Sequence, residues 1–331
     1  MNRFFTVIPI LLFLACGNQP KEKQAEVLHP ALSNPIVKPF TDAIALDSTN
    51  ATLYFQRAEK LFDLKMSDLV EKDLATAVRL APENLNYKAA LAAILIEQEK
   101  GTEALKTIKE IQLKDKHPDY IRMEAEAYMA DKKYEAAEKI INNLLAQNPK
   151  DPNTLLDASK LKAANKDTTT AIEYAKTLAN SQPTFYDGVY QLADLYSATN
   201  NPEAIQLYQK LFKMDTLNAY PFYDASRFYH NKGDISLTKN YLAKAITVDK
   251  TFELAYIDYG NILIQEDSID KAARFFQMAI ENAPANADAY YGKGITYLKQ
   301  GNKELAKKLF AQALTFNNKH EKAKQEYQKL K

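Results

Sequence analysis

Residues 253–286 have the sequence ELAYIDYGNILIQEDSIDKAARFFQMAIENAPAN, residues 287–320 have the sequence ADAYYGKGITYLKQGNKELAKKLFAQALTFNNKH, and these two stretches decide the fold. Equivalent residues fall at the same places in both, as in the pairs Tyr256 and Tyr290, Gly260 and Gly294, and Phe276 and Phe310. Each stretch contains two runs with the apolar spacing of an amphipathic helix, separated by turn residues. A period of 34 residues indicates a repeated helix-turn-helix unit.

The same unit recurs along most of the chain. Units open at Ala51, Leu85, Pro118, Pro152, Tyr186, Ala219, Glu253 and Ala287. The eighth position of every unit holds a small residue: Ala58, Ala92, Ala125, Ser159, Ala193, Ser226, Gly260 and Gly294. A small side chain at a constant depth lets a neighbouring helix come close, so we expect this column to lie at helix contacts.

A second column, mostly large and apolar, follows about sixteen positions later, and we expect it in the core. Its members are Leu74, Ile108, Ile141, Ala175, Tyr208, Leu242, Phe276 and Phe310. Four units end in proline, at Pro82, Pro149, Pro183 and Pro284. Proline lacks the amide donor that a helix interior needs, so these residues stop the second helix of their units.

The pattern resembles the tetratricopeptide repeat family. Its signature positions hold Tyr256, Gly260, Ala272, Phe276, Ala279 and Pro284 in one unit, and Tyr290, Gly294, Tyr297, Ala306, Phe310 and Ala313 in the next. The resemblance implies an all-α fold, a right-handed α-solenoid of about eight repeats over 51–318, at 51–84, 85–117, 118–151, 152–185, 186–218, 219–252, 253–286 and 287–320. An unrelated helical solenoid of the same period is the alternative.

Both ends of such a stack need caps, because a helix pair is stable only against its neighbours. We expect residues 35–50 to form an N-terminal capping half-repeat, in which Phe40, Ala43, Ile44 and Leu46 face inward. Residues 319–331 are expected to form a C-terminal capping helix, with Ala323, Tyr327 and Leu330 on one face.

Composition excludes several classes of function. Among 331 residues, 43 Lys and Arg balance 42 Asp and Glu without a block of like charge, which disfavours nucleic-acid binding and favours protein or peptide partners. Only 8 Gly, 4 His and one Cys are present. These numbers provide little material for phosphate loops, metal sites or disulfides. We therefore expect no cofactor, no metal site, no catalytic residues and no enzymatic activity.

The N terminus resembles a bacterial lipoprotein signal peptide. The apolar stretch from Phe4 to Ala15 would be about 18 Å long as a helix, short of the ~30 Å bilayer core, so residues 1–15 are expected to be a secretory signal. Phe13-Leu14-Ala15-Cys16-Gly17 resembles a lipobox, which implies cleavage before Cys16 and lipidation of it. Residues 16–34 then form a flexible tether. An ordinary signal peptide with an incidental cysteine is the alternative.

In the tetratricopeptide repeat family, the first helix of each pair lines an inner wall, and positions two, five, nine and twelve point into it. The resemblance therefore implies a concave groove for a peptide or protein, lined by Asp187, Tyr190, Asp194, Tyr220, Tyr223, Arg227, His230, Ile257, Asn261 and Tyr291. Tyr and aliphatic surface with a few polar groups suits an extended peptide or an amphipathic helix. Alternatively, several of these rings only fill space between neighbouring first helices.

These expectations converge on one function. The chain is predicted to be a membrane-anchored scaffold or adaptor of the bacterial cell envelope, held by lipid at the outer membrane, with the side of the membrane it faces left open. Its partners are then envelope proteins or peptides. A chaperone-like binder of unfolded or exported client proteins is the alternative.

Overall fold

A computed structural model describes residues 29–330 of the chain. The chain divides into two compact units, the first ending at Ile94 and the second beginning at Leu95. The predicted signal peptide at 1–15, the predicted lipidation site Cys16 and the tether up to residue 28 lie outside the described residues.

The described residues form one short 3₁₀ helix, Pro30–Ser33, and eighteen α-helices. The helices are α1 (Lys38–Leu46), α2 (Ala51–Asp63), α3 (Ser67–Leu80), α4 (Leu85–Glu97), α5 (Gly101–Gln112), α6 (Pro118–Ala130), α7 (Tyr134–Gln147), α8 (Pro152–Ala164), α9 (Thr168–Ser181), α10 (Tyr186–Ala198), α11 (Glu203–Met214), α12 (Tyr220–Asn231), α13 (Ile235–Val248), α14 (Glu253–Gln265), α15 (Ile269–Asn282), α16 (Ala287–Lys299), α17 (Lys303–Phe316) and α18 (Glu321–Lys329). We call the even-numbered helices α2 to α16 first helices and their odd-numbered successors second helices.

Polar side chains start most of the first helices, and they form a column that the sequence analysis did not identify. Each accepts a hydrogen bond from a backbone amide in the first turn, and the residues are Asn50, Asn84, His117, Asp151, Asn218 and Asn286, with His320 before α18. Such a bond satisfies an amide that has no partner within the helix and contributes about 1 kcal/mol. Phe185 and Phe252 precede α10 and α14 without a side-chain bond of this kind.

Each turn inside a helix pair contains one residue with a positive φ angle. The residues are Lys65, Glu99, Lys132, Lys166, Asn200, Gly233, Asp267 and Gly301. Only two are glycine, so the other six hold a side chain in left-handed backbone, with φ between 56° and 63°. This conformation brings Cβ close to the following carbonyl oxygen and costs about 1–2 kcal/mol for most residues.

The first unit has its own apolar core, which contains Leu61, Val70 and Leu74 and extends to Ile94 on α4. Beside it the buried Arg57 guanidinium makes two 2.7 Å hydrogen bonds to the Asp73 carboxylate. Two-point pairing of this kind satisfies both buried charges.

In the expected N-terminal cap, the predicted orientation of Leu46 is wrong. Ile44 on α1 is buried, as expected from the sequence. Leu46, which was expected to face inward, is 91% exposed. It is the last residue of α1, and Asp47 leaves the helix with extended backbone, so the stripe of inward positions ends before it.

In the second unit, the small column lies where first helices meet other side chains. Phe276 on α15 is fully buried, and its ring lies against Gly260 of α14 and Gly292 of α16. A Cβ atom on Gly292 would stand 2.1 Å from Cε1 of the ring, and one on Gly260 would stand 2.9 Å from Cζ. The absence of a side chain at both positions therefore makes room for the phenyl group.

The predicted all-α fold class is confirmed. Over residues 29–330 no strand occurs, and from α5 to α18 consecutive helices pack against each other, as α14, α15, α16 and α17 do. The small and the large columns are buried throughout, from Ala58 and Leu74 to Gly294 and Phe310. None of the helices in this range is both long and apolar enough to cross a bilayer.

Candidate functional site

Four first helices of the second unit line a groove with two adjoining recesses. The larger has a volume of about 720 Å³ and is lined by α12, α14 and α16, with Lys322 of α18 at one end. The smaller, of about 500 Å³, extends the groove towards α10 and α11. Tyr223, Arg227 and Leu254 line both recesses, so the two form one continuous surface.

The structure brings nine of the ten predicted contact residues together along this groove: Tyr190, Asp194, Tyr220, Tyr223, Arg227, His230, Ile257, Asn261 and Tyr291. Asp187 is the exception. It is exposed in the first turn of α10 and lines neither recess. Position two of that unit therefore lies outside the groove, whereas positions five and nine line it.

Two of the predicted tyrosines connect consecutive first helices. Tyr223 on α12 donates a hydrogen bond to Oδ2 of Asp258 on α14, at 2.9 Å. Tyr190 on α10 donates in the same way to Oδ2 of Asp224 on α12. Both hydroxyls therefore bind groups within the protein, and the alternative that the rings fill space between first helices applies to these two tyrosines in part. Both rings still line the groove.

The same relationship appears once more with different chemistry. Arg122 on α6 and Asp157 on α8 occupy the corresponding positions of their units, and Nε of the arginine lies 3.3 Å from Oδ2 of the aspartate. Both atoms are buried and neither makes a hydrogen bond of good geometry. Position five of one first helix thus repeatedly faces position six of the next.

The acidity of the groove tyrosines follows from this arrangement. Burial, followed by the charge of Asp258, raises the pKa of the Tyr223 hydroxyl above its ordinary value. Burial and the charge of Asp224 do the same to the pKa of Tyr190. Both phenols are therefore neutral donors at any physiological pH.

Three carboxylates line the base of the groove: Asp194, Asp224 and Asp258. Asp194 keeps contact with solvent on the groove side, yet desolvation by the surrounding walls and the nearby charge of Asp224 raise its pKa to about 6. Desolvation likewise raises the pKa of Asp224 and of Asp258, against the hydrogen bonds from Tyr190 and Tyr223. The groove therefore disfavours the charged form of its own carboxylates.

Cations are few in the groove. Arg227 is the nearest, with Nη1 at 3.8 Å from Oδ1 of Asp224 and a side chain that is 65% exposed. Its charge opposes the rise in pKa of Asp194, Asp224 and Asp258 alike. His230, exposed at the end of α12, lies near Asp258 and has the same effect there.

Part of the larger recess is apolar. Leu254, Ile257 and Ile264 of α14 and Ile295 of α16 line the larger recess. Asn261 is exposed between them, and its amide is open for contact with a backbone. The groove therefore offers apolar surface beside carboxylate and amide groups, which is the mixture found where proteins hold extended peptides.

The terminal helix α18 is fastened to the rim of the groove by His320. Nδ1 of His320 accepts a hydrogen bond from the amide of Ala323 at 3.0 Å, so the proton lies on Nε2, which donates to Oδ1 of Asp288 at 3.1 Å. The imidazole also lies against the ring of Tyr291, with 5.0 Å between centroids.

The sequence analysis missed Asp224 and Asp258 because it followed positions two, five, nine and twelve. Both residues stand at position six, beside the wall, where they receive the hydroxyls of the preceding first helix. Asp157 occupies position six of its own unit, so a carboxylate recurs at this position in three units. This recurrence could have identified Asp224 and Asp258 from the sequence. In residues 29–330, no group of three or more His, Cys, Asp and Glu side chains is arranged to hold a metal ion.

Comparison with known proteins identifies relatives of the repeat. Residues 263–330 match the family model described as "Tetratricopeptide repeat". The chain is 20% identical over 306 residues to the TPR repeat-containing protein MJ1428 of Methanocaldococcus jannaschii, over 87% of this chain and 54% of that protein. It is 41% identical over 59 residues to the Cell division cycle protein 27 homolog of Caenorhabditis elegans, over 18% of this chain and 8% of that protein. The chain thus spans about half of one curated relative and a small part of the other.

Three solved structures are similar to this chain, and the first of them supports the fold. The Cut9–Hcn1 hetero-tetramer of the APC/C contains a chain that matches 90% of this one over 60% of its own length, with a TM-score of 0.51 and 14% identity. MamA is 23% identical over 52% of this chain and 94% of its own, with a TM-score of 0.41. YrrB, described as a TPR protein with an unusual peptide-binding site, is 20% identical over 56% of this chain and 96% of its own, with a TM-score of 0.40. Residues 263–330 are thus similar to the tetratricopeptide repeat by the family model, and the likeness to MJ1428 extends over most of the chain.

Proposed function

We propose that the chain is a protein-interaction adaptor whose second unit binds an extended peptide or a helix of a partner protein in the groove. One observation carries the proposal: the groove combines apolar side chains, among them Ile257 and Ile295, with open polar groups, among them Arg227 and Asn261. The tetratricopeptide repeat matches support it, since proteins with this fold serve as interaction scaffolds for proteins or peptides.

We propose further that the adaptor is anchored by lipid in a bacterial cell envelope, at the outer membrane. The support comes from the sequence: a short apolar N terminus that ends in Leu14-Ala15-Cys16-Gly17, with the one cysteine of the chain at the cleavage point. Two or three acyl chains make membrane attachment effectively permanent, whereas one gives only marginal binding. Anchoring keeps bound partners near the bilayer and raises their effective concentration.

Site-specific photo-crosslinking in intact cells tests the groove. A photoreactive residue replaces Asn261, which is exposed in the groove, and in a matched protein it replaces Met278, which is 40% exposed on the second helix α15 and lines neither recess. We expect the same crosslinked partner from Asn261 in repeated experiments and not from Met278. The Ile295→Glu change, at a half-buried residue of the same recess, should abolish that crosslink. Equal crosslinking from both positions would contradict a groove-bound partner.

Metabolic labelling with an alkyne fatty acid tests the anchor. The full chain should incorporate the label and fractionate with outer membranes, and the Cys16→Ser variant should lose both properties. Label on the variant, or an unlabelled wild-type chain, would rule out lipidation at this residue. Recovery of labelled protein in inner membranes would contradict the outer-membrane placement alone.

A further inference from the structure

The groove differs in charge from the rest of the chain. The whole chain carries a formal net charge of +1. By contrast, four carboxylates line the groove, those of Asp194, Asp224, Asp258 and Asp288, against two permanent cations, Arg227 and Lys322. The excess of negative charge is confined between walls that exclude part of the solvent, where opposite charges attract more strongly than in open water.

Each carboxylate at the base keeps one oxygen available. Tyr208 donates to Oδ1 of Asp194 at 3.0 Å, Tyr190 donates to Oδ2 of Asp224, and Tyr223 donates to Oδ2 of Asp258. These bonds fix the orientation of the carboxylates and occupy a single oxygen of each. The second oxygens receive no hydrogen bond from another described residue in the groove, so each has capacity for an external donor.

Arg227 does not neutralise this set. It is the nearest permanent cation to the three carboxylates, it is 65% exposed, and its closest approach is 3.8 Å, too long for a charge-assisted hydrogen bond. A single exposed cation facing three carboxylates leaves a net attraction for further cations. The apolar side chains of Ile257, Ile264 and Ile295 lie along the same groove and can make hydrophobic contacts with an occupant.

Building on the proposed function, we infer that the occupant of the groove is an extended basic segment of the partner, whose Lys or Arg side chains bind Asp194, Asp224 and Asp258. Its apolar side chains then lie against Ile257 and Ile295. Ammonium and guanidinium groups supply the donors that the second carboxylate oxygens accept. The raised pKa of these aspartates agrees, because a bound cation offsets the desolvation that burial imposes on their charged forms.

Selection from a phage-displayed library of random dodecapeptides on the immobilised full chain tests the inference. Three proteins are compared: the wild type, the double variant Asp194→Asn and Asp258→Asn, and Asp187→Asn, which removes a carboxylate from the same helix as Asp194 but outside the groove. Asparagine keeps an oxygen that accepts the tyrosine hydroxyls, so the folds should match, and far-UV circular dichroism checks this.

We expect wild-type and Asp187→Asn selections to be enriched at least threefold in Lys and Arg over Asp and Glu. The double variant should lose this enrichment while still selecting apolar peptides. The best basic peptide, labelled with fluorescein, should bind the wild type at least fivefold more weakly at 300 mM than at 50 mM salt. Neutral or acidic selected peptides, or an unchanged basic excess on the double variant, would overturn the basic occupant and leave the groove function standing. No enrichment of any peptide would contradict peptide binding itself, and the inference with it.

Discussion

The hydroxyl of Tyr223 donates to Oδ2 of Asp258 at 2.9 Å and so joins two consecutive first helices, α12 and α14, at the base of the groove. The Tyr223→Phe change removes this bond and leaves the half-buried carboxylate without its donor. We expect the free energy of unfolding to fall by about 1.5–3 kcal/mol, the usual range for a bond to a charged group. Urea denaturation measures the change.

Tyr291→Phe is the matched control for this substitution. Tyr291 lines the same groove, and none of the hydrogen bonds resolved among the described residues uses its hydroxyl. Its removal should change stability by less than about 0.5 kcal/mol, as is usual for sites without a special role. A loss as large as that of Tyr223→Phe would show that the bond to Asp258 is not what distinguishes the two tyrosines.

Gly292 is expected to tolerate no side chain. A Cβ atom at this position would stand 2.1 Å from Cε1 of the fully buried Phe276, so Gly292→Ala must displace the ring or the helix. Overpacking of this kind costs about 1–3 kcal/mol, which a thermal melt would register as a clear fall in Tm. The second-site change Phe276→Leu should restore part of the loss in the Gly292→Ala background, although it is destabilising alone. Simple addition of the two losses would contradict the steric explanation.

Replacing strained turn residues by glycine should stabilise the protein. Lys132 and Lys166 are exposed and have φ angles of 59° and 63°. Glycine adopts this backbone without a Cβ clash but gains freedom when unfolded, so we expect a net gain of roughly 0.5–1 kcal/mol for each change. Lys139→Gly, at an exposed position inside α7, should instead cost about 1 kcal/mol. Equal losses at all three sites would contradict strain in the turns.

The stability of the second unit should depend on pH through Asp157. Burial, with the charge of Glu126 added and that of Arg122 opposing, raises the pKa of Asp157 to about 7. An aspartate in the unfolded chain has a pKa of about 3.9. Between that pH and the folded-state pKa of Asp157, the folded state binds more protons than the unfolded state. Stability from this group is therefore lost as pH rises through the window, and is constant above it.

Asp157→Asn removes that loss because the amide stays neutral. At pH 8 we expect the free energy of unfolding of the variant to exceed that of the wild type by at least about 1 kcal/mol, since one pKa unit corresponds to about 1.4 kcal/mol. The difference should shrink towards pH 5, where Asp157 of the folded wild type is protonated. Asp187→Asn, an exposed change, should keep the wild-type profile. A variant that parallels the wild type at both pH values would refute the role of Asp157.

The sequence predicted the repeat because its signal is a burial pattern. Ala58, Ser159 and Gly294 differ in chemistry, but all lie at helix contacts where only a small side chain fits, so their period is visible in the sequence. The turns were predicted less completely. Only Gly233 and Gly301 mark left-handed backbone by type, whereas Lys132 adopts it under the constraint of the two helices it joins.

The groove was predicted in position but not in electrostatics. The resemblance to the tetratricopeptide repeat family placed Tyr223 and Asn261 on the wall, since positions five and nine of a unit share one helical face. It could not show that the Tyr223 hydroxyl binds Asp258, since that depends on the distance between two helices 35 residues apart in sequence. Asp187 was misplaced for a related reason, because position two lies at the edge of the lined face in α10.

His320 connects the last helix to Asp288, a residue that lines the groove. One imidazole starts α18 through the amide of Ala323 and, with its other nitrogen, holds Asp288 at the rim. An occupant that orders Asp288 should therefore slow hydrogen exchange at the Ala323 amide. By thermodynamic reciprocity, fraying of the last helix should then weaken binding of that occupant by the same free energy. Hydrogen exchange at the Ala323 amide is therefore the measurement that would reveal an occupant in contact with Asp288.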